Sequence, residues 1–154
     1  MSEKNNLKQV LREIDVLKLD KHVTNIGFVP ETEIRSLYSN ARALVMPSFF
    51  GPTNIPILEA WALRCPVVTS DLRGIREQVG DAALLVNPLD AQQIAGAIER
   101  LWTNDRLCAD LIRHGADRLS RYGPQQFASQ LLEILTRLAN EIKNQEPRAQ
   151  PHFN

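Results

Sequence analysis

The stretch MPSFFGPTNIPILEAWALRCPVVTS, residues 46–70, decides how this chain folds. It places an apolar strand, Ala43–Met46, before a loop rich in Pro, Gly and Asn, and the loop opens a helix that contains Glu59. A second apolar strand, Val67–Thr69, follows. A strand, a tight loop and a helix start present free backbone N–H groups and the positive end of a helix dipole to an anion. We therefore expect a phosphate site at this loop, with Glu59 within reach of the hydroxyl groups of an attached sugar.

Short apolar runs alternate with helical spacing along the rest of the chain. Further strands are expected at Val23–Val29 and Ala83–Val86, with helices at 5–18, 31–42, 55–63 and 74–79. Short continuous apolar strands separated by helices indicate a parallel sheet covered on both faces. After Pro88 the chain reads as helix only, and Gly123-Pro124 begins the last helix. We predict an α/β domain over residues 1–144 with a helical C-terminus, and a disordered tail over 145–154.

Composition narrows the class of protein. The 154 residues include 18 basic and 18 acidic side chains, so the formal net charge is zero and nucleic acid is not an expected partner. Cys65 and Cys108 flank no metal-binding motif and are expected to be reduced thiols. No apolar run approaches the length of a membrane helix, and the start MSEKNN is polar. A cytoplasmic protein without an integral membrane segment is expected.

The central stretch resembles a known family. Pro47-Ser48, then Pro56-Ile57-Leu58-Glu59-Ala60, then Pro66-Val67-Val68 is similar to the donor-binding domain of GT-B glycosyltransferases, in the large retaining group called family 4. The resemblance extends upstream through VTNIGFVP (23–30) and LYSNARALVMP (37–47), and downstream through GIREQVGDAALLVNP (74–88). It implies an incomplete Rossmann-like sheet and a nucleotide diphosphate sugar as the donor substrate, with no metal ion.

The resemblance also implies roles for individual residues. Glu59 matches the family glutamate that binds the ribose hydroxyls. Gly51, Thr53, Asn54 and Ile55 would face the phosphates and the sugar. The loop at Val29 and Pro30 matches the loop against which the nucleotide base packs, although an ordinary strand-to-helix turn explains these two residues equally well.

One departure from the family concerns Gly51. The family has a second glutamate in the loop, which contacts the donor sugar, and alignment on Glu59 places Gly51 at that position. Thr53 and Asn54 carry a hydroxyl and an amide that are able to take over this contact. The identity of the catalytic residue is left open.

The resemblance predicts parts that this sequence does not contain. Family members have a preceding acceptor-binding domain, and their donor domain starts with two further strands that carry a Gly-rich turn and a basic pair. With strands about 4.8 Å apart, their loss would leave a slot two strands wide between Val23–Val29 and Ala43–Met46. Three alternatives remain: part of a retaining glycosyltransferase that is inactive alone, a noncatalytic nucleotide-sugar-binding subunit completed by a separate chain, and an inactive remnant.

Overall fold

The computed structural model describes residues 6–49, 54–121 and 123–145, and the chain divides into two compact units, residues 1–34 and 35–154. The first unit contains helix α1 (Leu7–Val16) and the start of α2 (Glu31–Asn40). The second contains the remaining elements, which are β1 (Leu44–Met46), α3 (Ile55–Ala62), β2 (Val67–Ser70), α4 (Arg73–Val79), β3 (Leu84–Val86), α5 (Ala91–Thr103), α6 (Asp105–Leu119) and α7 (Pro124–Gln145).

The sheet is parallel and has the order β1-β2-β3. Val45 pairs with Val68 in the first ladder, and Thr69 pairs with Leu85 in the second. All four residues of β2 are buried, whereas Val45 in the edge strand β1 is exposed. In the part of the chain that the structure describes, β1 has β2 as its one sheet partner, so its outer edge is free.

Alternating residues of β2 serve two hydrophobic cores on opposite faces of the sheet. Val67 packs with Ile57 and Trp61 of α3 and with side chains of α4. Val68 packs instead with Leu101 of α5 and with side chains of α6. Because successive strand residues point to opposite faces, a fully buried strand requires helices on both sides, as the continuous apolar run predicts.

The predicted strand at Val23–Val29 is wrong. Residues 23–27, 29 and 30 have no regular secondary structure, and no described residue pairs with this segment in a sheet. Gly27 adopts a left-handed φ of 63°, and its N–H donates to Oδ1 of Asn25 at 3.1 Å. An Asn side chain that bonds the backbone two residues on makes a local turn, which is incompatible with an extended ladder.

Side-chain contacts fix the starts of two helices. Asn104 Oδ1 accepts from the Leu107 N–H, and Asp90 Oδ1 accepts from the N–H groups of Gln92 and Gln93. The Gln93 side chain differs from a capping box, since it accepts from the Asn87 N–H. The last helix begins at Pro124, as expected, and residues 146–154 of the expected tail lie outside the described residues.

Candidate functional site

The chain that leaves β1 is held to β2 by two buried hydroxyl groups. Thr69 Oγ1 donates to the Met46 carbonyl at 3.2 Å, and Ser70 Oγ donates to the Ser48 carbonyl at 2.6 Å. Thr69 and Ser70 are both fully buried. Thr69 and Ser70, the polar residues at the end of β2, therefore hold the chain after β1 in place at the carboxyl end of the sheet.

Asn54 begins α3 in a left-handed conformation, with φ 44° and ψ 40°, and is only 7% exposed. Its Nδ2 donates to Oε1 of Gln78 on α4 at 3.0 Å, and its carbonyl accepts from the Ile57 N–H at 3.0 Å. Asn tolerates this backbone conformation better than most residues do. The Asn54 side chain is thus fixed by the fourth helix and does not cap its own helix.

This helix start has fewer free backbone donors than the sequence suggests. Pro56, the second residue of α3, has no N–H, and the Ile57 N–H is already bonded to Asn54. Ile55 is 54% exposed, and none of the described residues accepts a hydrogen bond from its N–H. An anion here would rely on side chains as well as on the helix backbone.

Two buried polar atoms that flank residues 50–53 have no hydrogen-bond partner among the described residues. They are Ser48 Oγ and Asn54 Oδ1. No other buried side-chain N or O atom of the described residues lacks a hydrogen-bond partner. Leaving such a group unsatisfied costs about 1–3 kcal/mol, so native proteins retain few of them. Both lie at the ends of the segment 50–53, at the edge of the sheet where open α/β folds bind ligands.

Glu59 is half-buried in α3, and its Oε2 accepts a hydrogen bond from the Tyr38 hydroxyl at 3.1 Å. Tyr38 lies on α2 and packs against the core cluster that contains Ile57. Burial, and then the hydrogen bond to Glu59, raise the pKa of Tyr38 to about 12. The phenol is therefore protonated at neutral pH and is the donor in this pair.

The structure brings three of the residues singled out in the sequence onto one element, since Asn54, Ile55 and Glu59 all lie at α3 or its start. Gly51 and Thr53 lie outside the described residues. Val29 and Pro30 belong to the first compact unit, where the Pro30 carbonyl accepts from the Glu33 and Ile34 N–H groups at the start of α2. Their predicted contact with a nucleotide base stays a prediction.

Three polar residues near this site were not identified as site residues from the sequence: Tyr38, Gln78 and Ser48. Tyr38 and Gln78 are 21 and 24 residues from their partners, and a helical Tyr or Gln carries no local signal of such a contact. Ser48 was visible in the motif, but its hydroxyl becomes notable only when burial and the lack of a partner are known.

Two features are absent from the described residues. Across 6–49, 54–121 and 123–145, no group of three or more His, Cys, Asp or Glu side chains is arranged to hold a metal ion. Within the same ranges, none of the helices combines the length and apolar character needed to cross a bilayer.

Comparison with known proteins bears on the family and the fold of this chain. A family model described as Glycosyl transferases group 1 matches residues 3–118. Over 73 residues the chain is 41% identical to O-antigen chain mannosyltransferase B of Escherichia coli, an alignment that covers 47% of this chain and 19% of that protein. The chain thus spans about a fifth of the length of this curated relative.

Two solved structures share the fold. Sucrose-phosphate synthase from Thermosynechococcus elongatus matches with a TM-score of 0.73 and 26% identity, covering 87% of this chain and 34% of that chain. The C-terminal domain of a group 1 glycosyl transferase, LpcC from Francisella tularensis, matches with a TM-score of 0.66 and 27% identity. The match covers 75% of this chain and 60% of that chain. These neighbours confirm the expected fold class, an α/β domain of GT-B glycosyltransferases. Since the family model covers most of the sequence, the chain belongs to the group 1 glycosyl transferases.

Proposed function

We propose that this chain is part of the donor-binding domain of a retaining glycosyltransferase and that it binds a nucleotide diphosphate sugar at the loop between β1 and α3. The observation that carries the proposal is the pair of unsatisfied buried atoms, Ser48 Oγ and Asn54 Oδ1, at the carboxyl edge of a parallel sheet. A ligand rich in hydroxyl groups supplies the hydrogen-bond partners that both atoms lack.

Each residue of the site has a role in the proposal. Glu59 accepts hydrogen bonds from the ribose hydroxyls, and Asn54 Oδ1 accepts one from a sugar hydroxyl. The contacts of Gly51 and Thr53 with the phosphates and the sugar, which the resemblance implies, belong to the same proposal. The Ile55 N–H faces a phosphate oxygen. Gly51 stands where the family has a glutamate that contacts the donor sugar, and glycine has no carboxylate. In this proposal the Asn54 amide makes that contact instead.

In the longer protein, the bond between the anomeric carbon and the diphosphate oxygen breaks, and a bond to an acceptor hydroxyl forms with the same anomeric configuration. Charge develops on the departing diphosphate. Helix dipoles and basic side chains stabilise such charge without a divalent ion, which is why we propose metal-independent transfer. The acceptor is proposed to be a glycan or a lipid-linked glycan, since the relative above is named as an O-antigen mannosyltransferase. A cytoplasmic location belongs to the same proposal.

We propose that the 154-residue chain binds the donor but does not transfer sugar alone. The 73 residues aligned with the mannosyltransferase relative cover 19% of that protein, and an acceptor-binding domain, in the same or a separate chain, is required for transfer. The second candidate is a noncatalytic subunit that binds a nucleotide sugar for a partner chain. Turnover by this chain after addition of a separately expressed acceptor domain distinguishes an enzyme part from a binding subunit.

Ser48→Ala gives the sharpest test of the site, because stability and affinity are expected to change in opposite directions. Removing a buried hydroxyl that has no partner should raise the free energy of unfolding of the ligand-free chain by about 1 kcal/mol. The same change removes a ligand contact and should weaken binding of UDP, GDP or ADP, or of their glucose and mannose conjugates, measured by NMR titration.

The matched control is Ser70→Ala, whose hydroxyl is satisfied by the Ser48 carbonyl. This variant should lose about 1 kcal/mol of stability. A second control pair is Glu59→Ala against Glu99→Ala, since Glu99 is an exposed glutamate on α5. Of these two glutamate variants, only Glu59→Ala should weaken nucleotide binding, by about 1.5–3 kcal/mol. Equal affinities for wild type, Ser48→Ala and Glu59→Ala would refute the assigned site.

A further inference from the structure

We infer that Tyr38 is a positioning residue for ribose recognition: its hydroxyl holds one oxygen of Glu59, so that the carboxylate presents its other oxygen to the nucleotide. The inference rests on the proposed function, because it assigns Tyr38 a role only if Glu59 binds ribose. It adds a residue from a different helix to the site.

The first support is the position of the phenol. The Tyr38 hydroxyl lies 3.1 Å from Glu59 Oε2, and the two residues come from α2 and α3. The Tyr38 ring packs against the buried cluster that includes Ile57 and Trp61. A ring fixed by core packing has one fixed direction for its hydroxyl, whereas a Glu side chain has three rotatable torsions. Tyr38 therefore orders Glu59, and not the reverse.

The second support is chemical. Tyr38 is a donor across the neutral pH range, because burial and the neighbouring carboxylate keep its proton in place. Glu59 is half-buried, and the described residues supply no other hydrogen bond to its carboxylate. Oε2 is thus occupied and Oε1 is left as the acceptor for a ligand. Binding of the two ribose hydroxyls costs less entropy when the Glu59 carboxylate is already ordered than when the ligand has to order it.

A structural tie between α2 and α3 is the alternative role for this hydrogen bond. The two roles differ in what a Tyr38→Phe substitution changes. A structural tie, once removed, weakens binding of every nucleotide to the same extent. A positioning residue, once removed, weakens only the binding of nucleotides that carry ribose hydroxyls.

The experiment compares binding of UDP, GDP and ADP with binding of their 2′,3′-dideoxy forms to the 154-residue chain, by NMR titration. Wild type should prefer the ribose form of the nucleotide that binds, by about tenfold or more. Tyr38→Phe, which keeps the ring in the core, should reduce this preference about three- to tenfold and leave the dideoxy affinity unchanged. Tyr122→Phe is the control at the other tyrosine, and its preference should equal that of wild type.

Glu59→Gln separates failure of this inference from failure of the proposed function. If wild type prefers ribose and Glu59→Gln removes the preference while Tyr38→Phe retains it, Glu59 binds ribose and the role of Tyr38 is refuted. If Tyr38→Phe weakens ribose and dideoxy forms equally, the hydrogen bond is structural and the inference is also refuted. If wild type shows no ribose preference or binds no nucleotide, the proposed function fails and the inference fails with it.

Discussion

Gly115→Ala should destabilise the second unit by pushing α6 against α3. A Cβ built on Gly115 lies 2.5 Å from Cδ1 and 2.8 Å from Cγ of Trp61, closer than any carbon contact in a relaxed protein. Trp61 is 3% exposed, and its Nε1 donates to the Ala82 carbonyl at 3.2 Å, so the indole has no free space into which it can move.

The expected change in the free energy of unfolding combines one stabilising and two destabilising contributions. Alanine improves helix propensity over glycine by about 1 kcal/mol. Overpacking of a rigid core costs about 1–3 kcal/mol. Displacement of the indole from the Ala82 carbonyl costs about 1 kcal/mol more. The propensity gain and the lost hydrogen bond nearly cancel, so we expect Gly115→Ala to lower the free energy of unfolding by about 1–3 kcal/mol.

The assay is urea unfolding followed by far-UV circular dichroism, with Gly96→Ala as the matched control. Gly96 lies inside helix α5, and a Cβ there meets no atom within 4 Å. This variant should therefore gain stability, by about 0.5–1 kcal/mol, from propensity alone. Equal stabilities of Gly115→Ala and Gly96→Ala would show that α3 and α6 do not pack as closely as described.

Three further predictions concern other contacts. Gly80→Ala should destabilise the chain in urea unfolding, because Gly80 has a φ of 51° and the Arg118 guanidinium occupies the space that a Cβ would take. Since folding raises the pKa of Tyr38 from 10.0 to about 12, its contribution to stability is full below pH 10 and is lost as the pH rises towards 12. Tyr38→Phe should accordingly flatten the fall in unfolding midpoint over this window. Burial raises the pKa of the Cys65 thiol, so iodoacetamide should modify it slowly in the native chain and rapidly in urea.

The sequence predicted elements whose signal is local. Each of the strands β1, β2 and β3 is an apolar run ended by a turn or a polar residue, and each lies within a residue of its predicted bounds. The segment 23–29 has a similar apolar content, but a strand exists only when another strand pairs with it, and the turn at Asn25 and Gly27 breaks the extended backbone. Pairing is a property of the whole fold and is not encoded in seven residues.

Burial was predicted less well than helix formation. The helix predicted over residues 5–18 is present at Leu7–Val16 with its apolar residues on one face, but none of its residues is buried. Trp61 in the apolar helix α3 is 3% exposed, whereas Trp102 in the amphipathic helix α5 is 70% exposed. Helical periodicity shows which residues share a face, but contacts between distant segments decide whether that face is covered.

The contact between Arg118 and the end of α4 has a consequence for the order in which the chain acquires its shape. Arg118 donates to the Glu77 and Gln78 carbonyls, and Gln78 in turn holds the Asn54 amide. A ribosome releases residue 118 long after residue 54. The nascent chain can complete its short strands early, but the Asn54 amide has its final support only when α6 has emerged, so the start of α3 is expected to reach its final arrangement late in synthesis.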